Sequence, residues 1–62
     1  MIEIARVSRG KNNMETARAF SKCDAFKNYR IGEIIATMRS YEKAGWLVFT
    51  DTDAIMYHDY NA

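Results

Sequence analysis

Asn13-Met14-Glu15-Thr16-Ala17-Arg18-Ala19-Phe20-Ser21-Lys22-Cys23-Asp24-Ala25-Phe26-Lys27 is the stretch that decides the fold of this chain. Thr16, Ala19, Phe20, Cys23 and Phe26 recur at i, i+3, i+4, i+7 and i+10, which is one face of a helix. Asn13 suits an N-cap, and Glu15 then sits in the first turn, where the helix dipole favours a carboxylate. Reading Glu15 to Phe20 as a strand instead gives a ββαββ domain with one helix packed across the sheet. The stripe favours the helix.

Outward from there the period shifts. Ile31, Ile34, Ile35, Met38 and Tyr41 form a second helical stripe out of phase with the first. The slip falls at Lys27-Asn28-Tyr29, and Asn28 tolerates the left-handed backbone that ends helices, so two helices are expected to meet at a tight turn. Lys43 and Gly45 end the second helix. Trp46 to Thr50 reads as a strand, Thr50-Asp51-Thr52-Asp53 as a turn and Ala54 to His58 as the returning strand. Upstream, Arg9-Gly10-Lys11-Asn12-Asn13 is a loop. Ile2 to Ser8 alternates as a half-buried strand, but Val7 falls on the opposite face from Ile2 and Ile4, which predicts a twist or bulge. The expected class is α+β, ordered β-α-α-β-β, with a three-stranded antiparallel sheet.

Sixty-two residues give room for one domain, 1–62. A chain of this length buries only about 60% of its unfolded surface, so its stability is marginal. Cys23 is its one cysteine, which excludes an internal disulfide and points to a reducing, cytoplasmic setting. Cys23 itself reads as a small buried hydrophobe. Met1 to Ser8 lacks the pattern of a signal peptide. The longest apolar run, Trp46 to Phe49, is strand-sized, so no membrane partner is expected.

Net charge is +1 but unevenly placed. Residues 1–31 carry seven basic and three acidic side chains, a balance of +4, and residues 32–62 carry two basic and five acidic, a balance of −3. Either the halves neutralise each other in the fold or the asymmetry steers a charged partner.

The chemistry of catalysis finds little purchase here. His58 and Asp59 are neighbours in a strand, so their side chains point to opposite faces. One histidine and one cysteine do not make a zinc site. Asp51 and Asp53 share a turn without the ligand set of a calcium loop. No glycine run cradles a phosphate, and a fold this small leaves little room for a substrate pocket. No catalytic, cofactor-binding or metal-binding residue is assigned, and neither an enzyme nor a small-molecule substrate is expected.

Two binding readings remain. Ile34, Met38 and Tyr41, then Glu42-Lys43-Ala44-Gly45-Trp46-Leu47, then a hairpin returning through Tyr57 carry the first. Over about residues 29–60 the chain resembles the recognition helix and wing of winged helix-turn-helix domains. That resemblance implies nucleic-acid binding, with the exposed face of the second helix in the major groove. Arg30 and Arg39 would flank that face, and Arg6, Arg9, Lys11, Arg18, Lys22 and Lys27 would contact phosphates. The chain departs from the family in three ways. It opens with a strand in place of the family's first helix. Its wing tip is Asp51-Thr52-Asp53. Its exposed second-helix face, Gly32, Glu33, Ala36, Thr37 and Ser40, is poor in side chains that read bases.

The second reading, which the sequence favours, is a protein partner or a homodimer. Gly32, Ala36 and Ser40 lie at i, i+4 and i+8, opposite the apolar stripe, leaving a smooth ridge on which another backbone can approach. Glycine inside a helix costs up to about 1 kcal/mol relative to alanine, so its presence calls for a close contact, within the chain or between chains. Tyr29, Tyr57 and Tyr60 are candidate interface aromatics, whereas Trp46 is expected in the core. These features fit a small regulatory or accessory protein, self-associating or inhibiting a partner, of the sort phages and mobile elements encode.

Overall fold

Asn12 opens the first helix. Its backbone is extended and its Oδ1 accepts the Glu15 N–H at 2.9 Å, so the cap lies one residue ahead of the Asn13 expected. The Glu15 carboxylate in turn accepts the Lys11 N–H at 3.2 Å. Gly10 N–H bonds the buried Thr16 hydroxyl at 2.9 Å. A Cβ on Gly10 would stand 2.5 Å from the Glu15 Cβ and 2.9 Å from the Thr16 nitrogen, so the loop closes on the helix only with glycine there.

The computed structural model describes residues 1–58. Its elements are β1 (Ile2–Ser8), α1 (Asn13–Phe20), one 3-10 turn (Asp24–Phe26), α2 (Ile31–Ala44), β2 (Leu47–Phe49) and β3 (Asp53–His58). This is the β-α-α-β-β order, with both helices present and one three-stranded antiparallel sheet.

The first apolar stripe does not belong to one helix. α1 stops at Phe20, the Ser21 hydroxyl bonds the Arg18 carbonyl, and Cys23 N–H turns back to Phe20 O at 2.9 Å. Serine bonding its own backbone in this way competes with helix continuation. Phe26 reaches the core from the separate 3-10 turn, its ring edge-on to Phe20 at 5.7 Å. The break therefore falls at residues 21–23, ahead of Lys27-Asn28-Tyr29. Asn28 is not left-handed, since no non-glycine residue among those described has a positive φ.

α2 begins with Arg30 N–H bonded to the Glu33 carboxylate at 2.9 Å. It ends at Gly45 (φ 86), where Gly45 N–H bonds Glu42 O and Trp46 N–H bonds Tyr41 O at 2.7 Å. The Trp46 bond needs the left-handed backbone at Gly45, which glycine adopts without strain. The hairpin turn is tied by Thr50, whose hydroxyl accepts the Asp53 N–H at 2.8 Å and whose N–H bonds Asp53 O.

β3 lies in the middle of the sheet, in the order β1-β3-β2. Register sets Ala5 and Leu47 beside Met56, and Val7 and Phe49 beside Ala54, all on the helix-facing side. The expected irregularity of β1 is a bulge between Glu3 and Ala5. The core joins Ala5, Ala17, Phe20, Phe26, Ile34, Met38, Leu47, Ala54 and Met56. Ala17 is fully buried while Ala19 and Cys23 of the expected stripe are half-buried, and Trp46, also expected inside, is half-buried against the Tyr41 ring.

Phe20, the last residue of α1, is fully buried in the core against the Phe26 ring. Phe20→Ala is expected to cost about 3–5 kcal/mol, comparable with the whole stability of a chain this short, at roughly 0.05–0.15 kcal/mol per residue. Circular dichroism should then record no cooperative melt for the variant. A transition within a few degrees of wild type would contradict this core.

Candidate binding surface

The cationic side chains divide into two groups. Arg6 is held by the fold: its Nη2 donates to Glu3 Oε1 at 3.0 Å and its Nη1 to Asp53 Oδ2 at 3.3 Å. Hydrogen bonding and charge from Glu3 raise the Arg6 pKa above its ordinary value, with Asp53 adding to the effect. Arg9 is also committed. Its guanidinium lies 4.8 Å from the centre of the Phe49 ring, within cation–π range, and donates to Thr50 O at 3.1 Å.

The other sequence candidates, Lys11, Arg18, Lys22, Lys27, Arg30 and Arg39, are all exposed. Among the described residues every ion pair centres on Arg6, so none of these six is paired. Lys43, one turn beyond Arg39 on α2, joins them as a seventh. From the sequence Lys43 marks the helix end and falls in the stretch that resembles a winged helix but is not counted among the phosphate contacts, although its i, i+4 spacing from Arg39 marks a shared face.

The carboxylates are disposed differently. Glu3 and Asp53 hold Arg6, Glu15 accepts the Lys11 N–H and Glu33 accepts the Arg30 N–H. Asp24, Glu42 and Asp51 are left among the described residues. One ion pair, Arg6–Asp53, joins the basic half of the chain to the acidic half. Direct ion pairing between the halves is limited to that pair among the described residues, and the stretch from Lys11 to Lys43 carries seven cations outside any ion pair together with four exposed carboxylates, Glu15, Asp24, Glu33 and Glu42.

The ridge of α2 is open. Gly32, Ala36 and Ser40 are exposed, and a Cβ built on Gly32 meets nothing within 4 Å. Close packing inside the chain, one explanation of this glycine, is thereby overturned. Tyr29 is 46% exposed, with its ring edge-on to Phe26 at 5.3 Å. Tyr57 is half-buried on the sheet face turned away from the helices, and Tyr60 and Asp59 lie outside the described residues.

His58 and Cys23 do not converge. His58 Nδ1 lies 3.4 Å from the Tyr41 hydroxyl, and its ring tilts against Trp46. Cys23 packs half-buried against the core. Among the described residues no three His, Cys, Asp or Glu side chains group as ligands for a metal ion. A shallow cleft of about 260 Å³ lies between the Arg9–Asn13 loop, Glu42 and Phe49, with neither His58 nor Cys23 in its lining. No described helix is long and apolar enough to cross a membrane. Comparison with protein families, curated proteins and solved structures finds no match to this chain.

Because nothing abuts Gly32, Gly32→Ala should fit without a clash and raise stability by up to about 1 kcal/mol through helix propensity. Denaturant unfolding checks this; a destabilised variant would mean that the ridge is covered within the chain.

Proposed function

We infer that this protein acts without catalysis, as a small regulatory or accessory protein that lays its α1–α2 face against a nucleic-acid duplex. The observation that carries the reading is the positive balance between Lys11 and Lys43, seven cations outside any ion pair against four carboxylates, spread over the loop ahead of α1, both helices and their connection. A phosphate backbone is the partner that such a field attracts, through release of its condensed counterions.

The small side chains of Gly32, Ala36 and Ser40 let α2 approach a groove floor closely, while Arg39, Lys43 and Arg30 reach toward the flanking phosphates. Arg18, Lys22 and Lys27 extend the contact along α1 and the connection. A ridge so poor in amide and guanidinium groups reads shape and backbone in preference to base sequence. The glycine-capped α2 and the hairpin after it fit the winged-helix resemblance, with one difference. Asp51 at the hairpin tip repels phosphate, so the helices hold the duplex and the hairpin does not.

A second reading, a protein partner seated on the ridge, is favoured by the exposed Tyr29 ring and by the open space over Gly32. It predicts binding that survives salt.

Fluorescence anisotropy on a mixed-sequence duplex distinguishes the two. Affinity should fall linearly on a log–log plot with salt, by a slope of about 0.9 per phosphate neutralised. The double variant Arg39→Gln/Lys43→Gln should reduce that slope by about two. No binding by wild type at about 50 mM salt, where counterion release is strongly favourable, would remove the nucleic-acid reading.

A further inference from the structure

β1 forms one edge of the sheet, and no described element pairs with its outer side. The opposite edge, β2, is three residues long, whereas β1 is seven and contains no proline. An exposed edge of that length presents backbone donors and acceptors to any strand able to match them. The N-terminal end of β1 also carries exposed apolar surface, with Met1 68% and Ile2 55% accessible.

The bulge between Glu3 and Ala5 gives this edge a symmetry that a regular strand lacks. Ile2 pairs with His58, Glu3 with Tyr57, Ala5 with Met56, Arg6 with Ile55 and Val7 with Ala54. Met56 and Ala54 belong to the core, so Ala5 and Val7 face the helices, and by alternation along β3 so does Ile2. Ile4, the extra residue, packs against the core as well. Glu3 and Arg6 face the other way, as their 3.0 Å ion pair requires. From Ile2 to Val7 the side chains therefore run inward, outward, inward, inward, outward, inward. That pattern is the same in both directions, and so is its chemistry: isoleucine and valine at the ends, glutamate and arginine next, isoleucine and alanine at the centre.

We propose that β1 is a homodimerisation edge. Two copies pair antiparallel about a two-fold axis between Ile4 and Ala5, setting Ile2 against Val7, Glu3 against Arg6 and Ile4 against Ala5 of the second chain. Backbone alternation agrees with this. Arg9 N–H bonds Thr52 O at 2.8 Å, so Arg9 and Val7 direct their backbone groups toward β3, and Arg6 directs its own to the open edge. Past the bulge Glu3 does the same.

Register is specified by the pattern. A shift of one residue sets inward side chains opposite outward ones. The shifts that restore facing at the charged position put Arg6 opposite Arg6 or Glu3 opposite Glu3. A two-fold contact needs this self-complementarity, which a foreign strand has no reason to share. The Glu3 and Arg6 side chains exchange partners within the pair, so they choose the register while the backbone bonds and the covered Ile2 favour association.

The test is a charge swap that does not involve nucleic acid, so its failure leaves the binding reading standing. In sedimentation equilibrium up to about 1 mM chain, a range suited to an interface at the small end of the specific class, the wild type should rise from 7.2 kDa toward twice that mass. Glu3→Arg and Arg6→Glu should each stay monomeric, because each places like charges opposite one another. Their equimolar mixture should regain the dimer, since the two arginines of one chain then face the two glutamates of the other. A loss of fold in either variant, seen by circular dichroism, could not be repaired by mixing. Amide exchange of the wild type gives an independent reading, with the Glu3 and Arg6 amides protected at high concentration and not at low. A wild type monomeric throughout, variants that associate like wild type, or a mixture no more associated than its parts would each overturn the proposal, as would Glu3 and Arg6 exchange that ignores concentration.

Discussion

The antiparallel pairing of Ile2–Ser8 with Asp53–His58 joins the two ends of the described chain, and the rest of the fold is built on that closure. The order β1-β3-β2 places β3 in the centre, so the β2–β3 hairpin becomes a three-stranded sheet only when β1 arrives from the other end. Closing a loop of this size is entropically unfavourable, though the cost grows only logarithmically with length. What offsets it is apolar burial on one face: Met56 and Ala54 of β3 meet Phe20, Phe26, Ile34 and Met38 from the helical side. Ala5, Ala17 and Ala54 contribute by being small, because a bulkier side chain at any of them would hold helix and sheet apart.

Sidedness follows from this closure. The helices spend one face each on the core, and their outer faces carry Arg18, Arg39 and Lys43 together with the smooth ridge of Gly32, Ala36 and Ser40, with Lys22 just past the end of α1. The carboxylates are used mainly at joints: Glu15 and Glu33 at helix starts, Glu3 and Asp53 across the strands. Four carboxylates serve as fastenings while keeping their charge, and the basic groups from Lys11 to Lys43 stay in solvent outside any ion pair. From Lys11 to Lys43 seven basic side chains stand against four acidic ones, so a chain with a net charge of +1 presents a helical region with a positive balance. Sequence balance alone could not say that these cations stand outside ion pairs, since a chain with its charges paired would have the same composition.

Legibility in the sequence tracked how local the determining chemistry is. The end of α2 was readable because Gly45 acts on its own backbone and Lys43 precedes it within one turn. The bulge was readable as a phase error between Val7 and Ile2, but its place at Glu3/Ala5 depends on β3, some fifty residues away. The break after Phe20 was missed because Cys23 and Phe26 keep pointing at the core across it, so the stripe survives although the helix does not. The cap was placed one residue late since Asn12 and Asn13 are chemically equivalent, and only the Asn12 Oδ1 to Glu15 N–H bond separates them. Sheet order and the separation of committed from uncommitted charges are tertiary facts. The first puts β3 in the middle, and the second leaves an open Gly32 ridge, offered by the sequence as a surface for a protein partner, flanked by cations outside any ion pair.

The claim that the helical face is the acting surface is tested most directly by amide chemical-shift mapping of the ¹⁵N-labelled protein titrated with a short duplex. At low salt the account predicts shifts concentrated at Arg18, Lys22, Lys27, Arg30, Gly32, Ala36, Arg39 and Lys43, returning to their free positions as salt is raised. Perturbations confined to the hairpin tip or the Arg9–Asn13 cleft, or a spectrum that the duplex leaves unchanged, would contradict it.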